Sequence, residues 1–225
     1  MSLAWPWAAA LAAAAYLYAS INWAVIVTRR LKGQDIRKLG TGNPGAANVG
    51  RQLGRGWGAL VYFLDLSKGL LPLLAGRLLL FRENSPWSAA ALTLVGIAAV
   101  AGHCRSIFLG FRGGGGISTS MGVFLFLIPV EFMASVLLAF TIAMGLRRRV
   151  RFVMGQWTPI LFVAITPFLT LALNRVVFVP FGGYWSIGGH PWQLLAGLFF
   201  LSLFILAMNI QFMKRRAAEI SGQDG

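Results

Sequence analysis

Acidic side chains, cysteine and histidine are all scarce in this chain of 225 residues. Six Asp and Glu stand against 20 Lys and Arg, and only 12% of residues are charged, whereas soluble domains average about 25%. The single cysteine, Cys104, cannot form a disulfide within the chain, and the two histidines belong to no cluster with metal-ligand spacing. We therefore expect no disulfide framework, no bound metal and no cofactor.

Hydrophobic residues, in contrast, make up 57% of the chain, and the mean hydropathy is +0.72. Several apolar runs approach the ~20 helical residues that cross a hydrocarbon layer about 30 Å thick. The pattern predicts an all-α polytopic membrane protein, with residues 1–225 forming a single membrane-embedded domain. We place seven spans near 7–28, 57–80, 87–101, 117–129, 131–146, 157–179 and 191–212.

The positive charge, a formal net +14, lies in short clusters between the apolar runs. Seven basic residues fall in 29–55, two in 102–116, four in 147–151 and three after Met213. Basic residues favour the cytoplasmic side, so these clusters indicate an outside N-terminus and a cytoplasmic C-terminus rather than nucleic-acid binding. The first run lacks a basic flank before it, which predicts an uncleaved anchor.

The apolar stretch from Ile117 to Leu146 is too long for one ordinary span and short for two. Arginines flank it on both sides, so an even number of crossings is expected. Pro129, beside Glu131, offers the turn. We therefore predict a tight helical hairpin with one short arm partly buried in protein.

The first cytoplasmic loop is rich in glycine and asparagine from Gly40 to Arg51. Glycines let backbone amides converge on an anion, and arginine offers a fork that matches phosphate. The loop is a candidate phosphate cradle or an ordinary turn cluster between two spans. Its candidate ligands are Thr41, Gly42, Asn43, Gly45, Asn48 and Arg51.

A second glycine-rich segment runs from Gly102 to Thr119 and includes His103 and Arg112. Its four consecutive glycines lead into a predicted helix start, where amides and the positive end of the helix dipole favour an anion. The run is either the second half of an anion site or a flexible linker. The four glycines of the run are Gly113, Gly114, Gly115 and Gly116.

Three further polar residues lie inside apolar runs. Asp65 and Lys68 are three residues apart, on one helical face. Ionisable residues at membrane depth usually face a polar interior or each other, so the two form either a structural ion pair or part of a site. Asn209, near the end of the last span, is either a site residue or a hydrogen-bond partner for a neighbouring helix.

These segments, in this order, resemble the bacterial acyl-phosphate:glycerol-3-phosphate acyltransferases of the PlsY type. The family pattern GSGNPGATNVxR is matched by Gly40 to Arg51, DxxKG by Asp65 to Gly69, and GHxxPxFxxFKGGKGxAT by Gly102 to Thr119. The resemblance extends from about Gly33 to the tail. It implies a seven-helix bundle in the bacterial inner membrane, with the active site facing the cytoplasm.

The resemblance also implies a reaction. A fatty acyl group would pass from acyl-phosphate to the 1-position hydroxyl of glycerol 3-phosphate, giving lysophosphatidate and phosphate for phospholipid synthesis. No metal, nucleotide or covalent acyl-enzyme is expected. Thr41 and Arg51 would hold substrate phosphate, and His103 and Asn209 would shape the site, with Arg112 as a further catalytic candidate. Backbone donors for the phosphate would come from Gly113, Gly114 and Gly116.

Several positions depart from the family pattern. The lysine of GGKG is Gly115 here, the proline of GHxxP is Ser106, and the tail pattern NIxRL lacks its arginine at Phe212. Arg112 or Arg151 would then supply the missing charge. The alternative is a catalytically inactive paralogue that binds lipid or a partner protein; a small transporter fits less well, because the motifs cluster at one face. The oligomeric state is left open.

Overall fold

The computed structural model describes residues 4–146, 154–176 and 188–221, and these residues fold into α-helices joined by short loops. The helices are α1 Ala4–Ser20, α2 Trp23–Lys32, α3 Ala46–Leu53, α4 Arg55–Leu79, α5 Pro86–Cys104, α6 Ile117–Leu127, α7 Pro129–Leu146, α8 Met154–Val176 and α9 Trp192–Ser221. Short 3₁₀ turns cover Ile36–Lys38 and Ile107–Leu109. The predicted all-α membrane fold is confirmed.

Within the described ranges, six stretches are long and apolar enough to cross a membrane. They are Trp5–Lys32, Arg55–Leu79, Pro86–Leu109, Pro129–Leu146, Thr158–Arg175 and Trp192–Ile210. The shorter apolar helix α6 has 11 residues, fewer than the ~17 that normally span. The predicted count of seven crossings and the orientation stay predictions.

The first predicted span, 7–28, is not one continuous helix. It breaks after α1, and Asn22 begins α2 by accepting the amide of Val25 at 2.9 Å. The Asn22 amide nitrogen also donates to the carbonyl of Pro44, at 3.2 Å. An asparagine favours a helix start because its side chain satisfies an orphan amide. The break therefore connects the first span to the Gly/Asn-rich loop.

The predicted turn inside the stretch 117–146 is present, since α6 ends at Leu127 and α7 begins at Pro129. Proline suits a first helical position because its missing N–H would have no partner there. The short arm α6 is mostly buried, including Thr119, Val123 and Phe124. It is thus the partly protein-enclosed arm that its length predicts.

Small residues let the helices approach closely. The buried Ala8, Ala12, Ala15 and Ala19 belong to one core cluster with residues of α5. At the α4–α6 contact, a Cβ on Gly69 would overlap the carbonyl oxygen of Thr119. Without a hydrophobic driving force between helices in lipid, such close packing supplies much of the association.

The bundle has two ends. One end, which we call the loop end, carries the Gly/Asn-rich and glycine-rich loops; the other, the far end, carries the beginnings of α1, α5, α7 and α9. At the far end the buried Glu131 carboxylate lies 2.8 Å from His190 Nε2. Asn174 accepts the amide of His190 at 2.6 Å. These polar contacts connect α7, α8 and the start of α9.

Candidate active site

A cavity of about 750 Å³ lies at the loop end of the bundle, within the 300–1,000 Å³ typical of small-molecule sites. Its polar wall comes from both glycine-containing loops and from α4, α5 and α9, and its apolar wall from α6 to α9. The lining residues that the sequence predicted are Thr41, Asn43, Gly45, Arg51, Asp65, His103, Gly116 and Asn209. The fold therefore brings together segments that are far apart in the chain.

The Gly/Asn-rich loop contributes Thr41, Asn43 and Arg51 to the polar wall. A terminal nitrogen of Arg51 lies 3.5 Å from the Thr41 hydroxyl. Gly45, which also lines the cavity, is the N-cap of α3, whose last turn carries Arg51. A guanidinium beside a hydroxyl matches the requirements of a phosphate oxygen.

Two predicted residues of the same loop support it from behind. Asn48 is buried and donates to the Leu39 carbonyl at 2.8 Å, with a longer contact to Ile36. Gly42 has a φ of 69° and donates its amide to the same carbonyl. Neither residue lines the cavity, so both hold the loop in shape.

A partly buried charge cluster holds the chain segment before this loop. Asp35 accepts hydrogen bonds from Arg37 and Arg29, at 2.7 and 2.8 Å. These bonds, from Arg37 above all, hold the pKa of the Asp35 carboxyl well below its usual range, although partial burial opposes them. The same pair raises the pKa of Arg37. Asp35 therefore stays ionised at any physiological pH.

The glycine-rich segment is a tight turn rather than a row of free amides. Gly113 donates to the carbonyl of Cys104 and Gly114 to the carbonyl of His103, both at 3.0 Å. The expectation that these two amides face an anion therefore differs from the structure, where they fix the turn against the end of α5. Gly116, which lines the cavity, caps α6 with a φ of 80°.

Arg112 does not line the cavity, and its side chain is exposed. The other arginine proposed to replace the missing lysine, Arg151, lies outside the described residues. Arg51 is thus the basic side chain that the described part of the chain places at the cavity wall.

Buried ionisable groups form the base of the polar wall. Lys68 Nζ contacts Asp65 Oδ1 at 2.6 Å, and both side chains are almost fully buried. The predicted ion pair is therefore present, and Asp65 also lines the cavity. A buried pair stabilises little after desolvation, but removing one partner leaves an uncompensated charge.

His103 is oriented by its neighbours. Its Nδ1 lies 3.2 Å from the Thr119 hydroxyl, which donates to the carbonyl of Asp65 at 3.0 Å. Because that hydroxyl has one proton, it accepts from Nδ1–H, and in the neutral imidazole Nε2 is then an acceptor. Nε2 lies against Gly114, where an added Cβ would come within 2.5 Å of it.

Asn209 closes the site from the last helix. Its amide nitrogen donates to the carbonyls of Gly115 and Ile205, both at 2.7 Å. On the other side, the Gly115 amide donates to the Asn43 side chain at 3.2 Å. Gly115 is therefore clamped between two asparagines, and a Cβ placed on it would overlap Asn209 Oδ1.

Sequence reasoning missed much of the cavity wall. Tyr62 lines it from α4, with its hydroxyl 3.5 Å from the sulfur of Met121. Thr158 lines it from α8, and its buried hydroxyl has no hydrogen-bond partner among the described residues. The remaining apolar lining includes Val136, Phe140, Ile160, Phe162 and Phe212. Nothing in an apolar helix marks which residues face such a cavity.

Among residues 4–146, 154–176 and 188–221, no three His, Cys, Asp or Glu side chains lie close enough to hold a metal ion. The polar wall instead offers a guanidinium, hydroxyls, side-chain amides and backbone groups. These groups suit a phosphorylated ligand.

Known proteins resemble the chain along most of its length. A glycerol-3-phosphate acyltransferase of Anaeromyxobacter dehalogenans is 41% identical over 140 residues, covering 62% of this chain and 68% of the relative. One from Geobacter sulfurreducens is 41% identical over 166 residues, covering 73% and 78%.

Two solved structures of the same kind of enzyme also match this chain. The crystal structure of PlsY, an integral membrane glycerol 3-phosphate acyltransferase, in its glycerol 3-phosphate form matches with a TM-score of 0.70 and 30% identity, covering 94% of this chain and 92% of that one. Its lysophosphatidic acid form matches with a TM-score of 0.68 and 29% identity, with the same coverage. The family profile described as glycerol-3-phosphate acyltransferase matches residues 9–218. The chain therefore belongs to the glycerol-3-phosphate acyltransferase family of the PlsY type.

Proposed function

We propose that this protein transfers a fatty acyl group from acyl-phosphate to the 1-position hydroxyl of glycerol 3-phosphate. One observation carries the proposal: one cavity joins a polar wall that includes Arg51 and Thr41 to an apolar wall. Acyl-phosphate needs both, and glycerol 3-phosphate needs the polar one. The site faces the cytoplasm of a bacterial inner membrane in this proposal, and residues 1–225 act as one domain.

The polar wall would orient the two phosphorylated substrates. Arg51 and Thr41 hold a phosphate, with Asn43 and the Gly115–Gly116 backbone beside them. The apolar side chains on α6 to α8, such as Met121 and Phe140, lie along the acyl chain. Holding two reactants in register removes much of the entropic barrier to a bimolecular step.

The reaction then needs little covalent chemistry from the protein. The glycerol hydroxyl oxygen attacks the acyl carbonyl carbon, and the bond from that carbon to the phosphate oxygen breaks. The hydroxyl proton leaves with the phosphate, or passes first to His103 Nε2, which the Thr119 contact keeps as an acceptor. Arg51 stabilises the negative charge that develops on the departing phosphate.

A second candidate function is supported by Gly115. The family carries a lysine there, whereas this chain has a glycine whose side-chain space is filled by Asn209. Losing a cation from a water-poor anion site removes charge-assisted bonds of ~1.5–3 kcal/mol each. A catalytically inactive relative that binds acyl-phosphate or lipid without turnover is consistent with that replacement.

A turnover assay separates the two functions. Purified full-length protein is given acyl-phosphate with glycerol 3-phosphate, and released phosphate and lysophosphatidate are quantified together. Matched reactions omit the acceptor, replace it with glycerol, or replace the donor with acyl-CoA. We expect equal amounts of both products only in the complete reaction. Folded protein that binds acyl-phosphate yet releases no phosphate would favour the inactive relative.

A further inference from the structure

A second cavity, of about 470 Å³, lies at the far end of the bundle. It is enclosed by the beginning of α1, the connection between α4 and α5, and the beginning of α5. Its wall contains an arginine, a glutamate, two serines and two tryptophans: Arg82, Glu83, Ser85, Ser88, Trp5 and Trp87. It shares no residue with the cavity at the loop end.

The two tryptophans indicate the depth at which this cavity lies in the membrane. Trp5 and Trp87 are 46% and 52% exposed, and their rings meet edge to face with centroids 6.0 Å apart. Exposed tryptophans at the ends of spanning helices lie at the level of the lipid headgroups. The cavity therefore opens where phosphates and headgroup amines are concentrated.

The terminal nitrogens of Arg82 are available to a ligand. Its Nε donates to the carbonyl of Leu78 at 2.8 Å, and among the described residues its two terminal nitrogens have no protein acceptor. Arg77, one turn earlier, differs: its terminal nitrogens donate to the Phe81 carbonyl and the Asn84 side chain. Arg77 fixes the turn, and Arg82 is left with a fork that suits a phosphate.

The remaining wall suits a cation. Glu83 lines the cavity, and the faces of Trp5 and Trp87 attract cations. The Ser85 and Ser88 hydroxyls, 3.1 Å apart, add short polar groups at the start of α5. A ligand that carries both a phosphate and an ammonium group suits these residue types.

We propose that this cavity binds the headgroup of a zwitterionic phospholipid of the phosphoethanolamine type. The phosphate meets the Arg82 guanidinium, and the ammonium lies against the tryptophan pair. The acyl chains run along the exposed apolar surface of α4, where Leu78 and Leu79 are 57% and 70% exposed. The site is separate from the acyl-transfer chemistry proposed above.

Native mass spectrometry of the full-length protein in detergent tests this site. Phosphatidylethanolamine and phosphatidylglycerol are titrated separately, and retained lipid is counted for wild type, Arg82→Gln and Arg175→Gln. Arg175 is the matched control, because it is an exposed arginine in the last turn of α8 and does not line the cavity. Trp87→Leu serves as a second variant, and thermal unfolding checks that each variant is folded.

We expect one phosphatidylethanolamine per wild-type protein, bound more tightly than phosphatidylglycerol. Arg82→Gln and Trp87→Leu should each weaken that binding at least fivefold, and Arg175→Gln should leave it unchanged. Equal binding by Arg82→Gln and Arg175→Gln, or equal affinity for the two lipids, would overturn the proposal. Equally tight binding of glycerophosphoethanolamine, which lacks acyl chains, would also overturn it, because the ligand would then be a soluble headgroup.

Discussion

Asn209 donates its side-chain amide to the carbonyl of Gly115 at 2.7 Å, although 94 residues separate the two in the chain. The bond joins the last helix to the glycine-rich loop, and through Gly115 to Asn43 of the first loop. Three distant segments of the chain are thus held together at one backbone position.

Replacing Asn209 with alanine should therefore impair turnover more than folding. The change leaves the Gly115 carbonyl without its donor, and an unsatisfied buried group costs about 1–3 kcal/mol. If that cost falls on the transition state, acyl transfer decreases by about tenfold per 1.4 kcal/mol. Steady-state phosphate release measures it.

Asn174→Ala is the matched control, since Asn174 makes a similar pair of backbone bonds to His190 at the far end. It should lower the melting temperature with little change in turnover. Equal loss of turnover in both variants would mean that Asn209 acts only through general stability.

Gly115→Lys should lower acyl transfer at least tenfold, although it restores the residue that the family pattern carries. Its Cβ would overlap Asn209 Oδ1 and come within 2.9 Å of Cγ, so the clamp must open to admit it. Gly115→Ala is informative beside it, because alanine introduces the overlap without the charge. A gain in turnover for lysine together with a loss for alanine would show that missing charge, not crowding, limits this protein.

Arg51→Lys should be poorly tolerated, because a point charge cannot reproduce the fork that holds a phosphate. We expect kcat/KM for glycerol 3-phosphate to decrease at least tenfold. Arg55→Lys is the control, as Arg55 is exposed at the start of α4 and does not line the cavity. Wild-type kinetics in both Arg51→Lys and Arg51→Ala would leave Arg51 with only a topological role.

The loop end should face the cytoplasm, because 16 of the 20 basic residues lie in segments assigned to that side. Native Cys104 is a poor reporter, since it is only 3% exposed. Cysteines introduced at Arg55 and Arg175 report the two ends instead. An impermeant thiol reagent added to intact cells should label Arg175→Cys and spare Arg55→Cys, with the reverse result in inside-out vesicles. The opposite pattern would invert the topology.

The sequence predicted those parts of the site that depend on residue type within one short segment. Asp65 and Lys68 are on one helical face by spacing alone, and the structure pairs them at 2.6 Å. The turn at Pro129 and the burial of α6 follow from length and proline chemistry. Asn209 stood out as a polar residue in an apolar run, but only the family resemblance assigned it to the site.

What could not be predicted depends on contacts between helices. The amides of Gly113 and Gly114 were expected to face a ligand, but they bond to the end of α5, which no local pattern reveals. Tyr62 and Thr158 lie in apolar runs with no signal of which side faces the cavity. The break in the first span at Asn22 was not predicted either, because it involves a hydrogen bond from the Asn22 side chain to the carbonyl of Pro44, 22 residues later.

The Gly115–Asn209 bond has a consequence for biosynthesis. During translation the glycine-rich loop leaves the ribosome long before α9, so a nascent chain holds Gly115 from the Asn43 side alone. The loop acquires its second anchor only when the last helix has entered the membrane. Completion of insertion and maturation of the site are therefore the same event, and a chain truncated before Asn209 would insert without becoming competent.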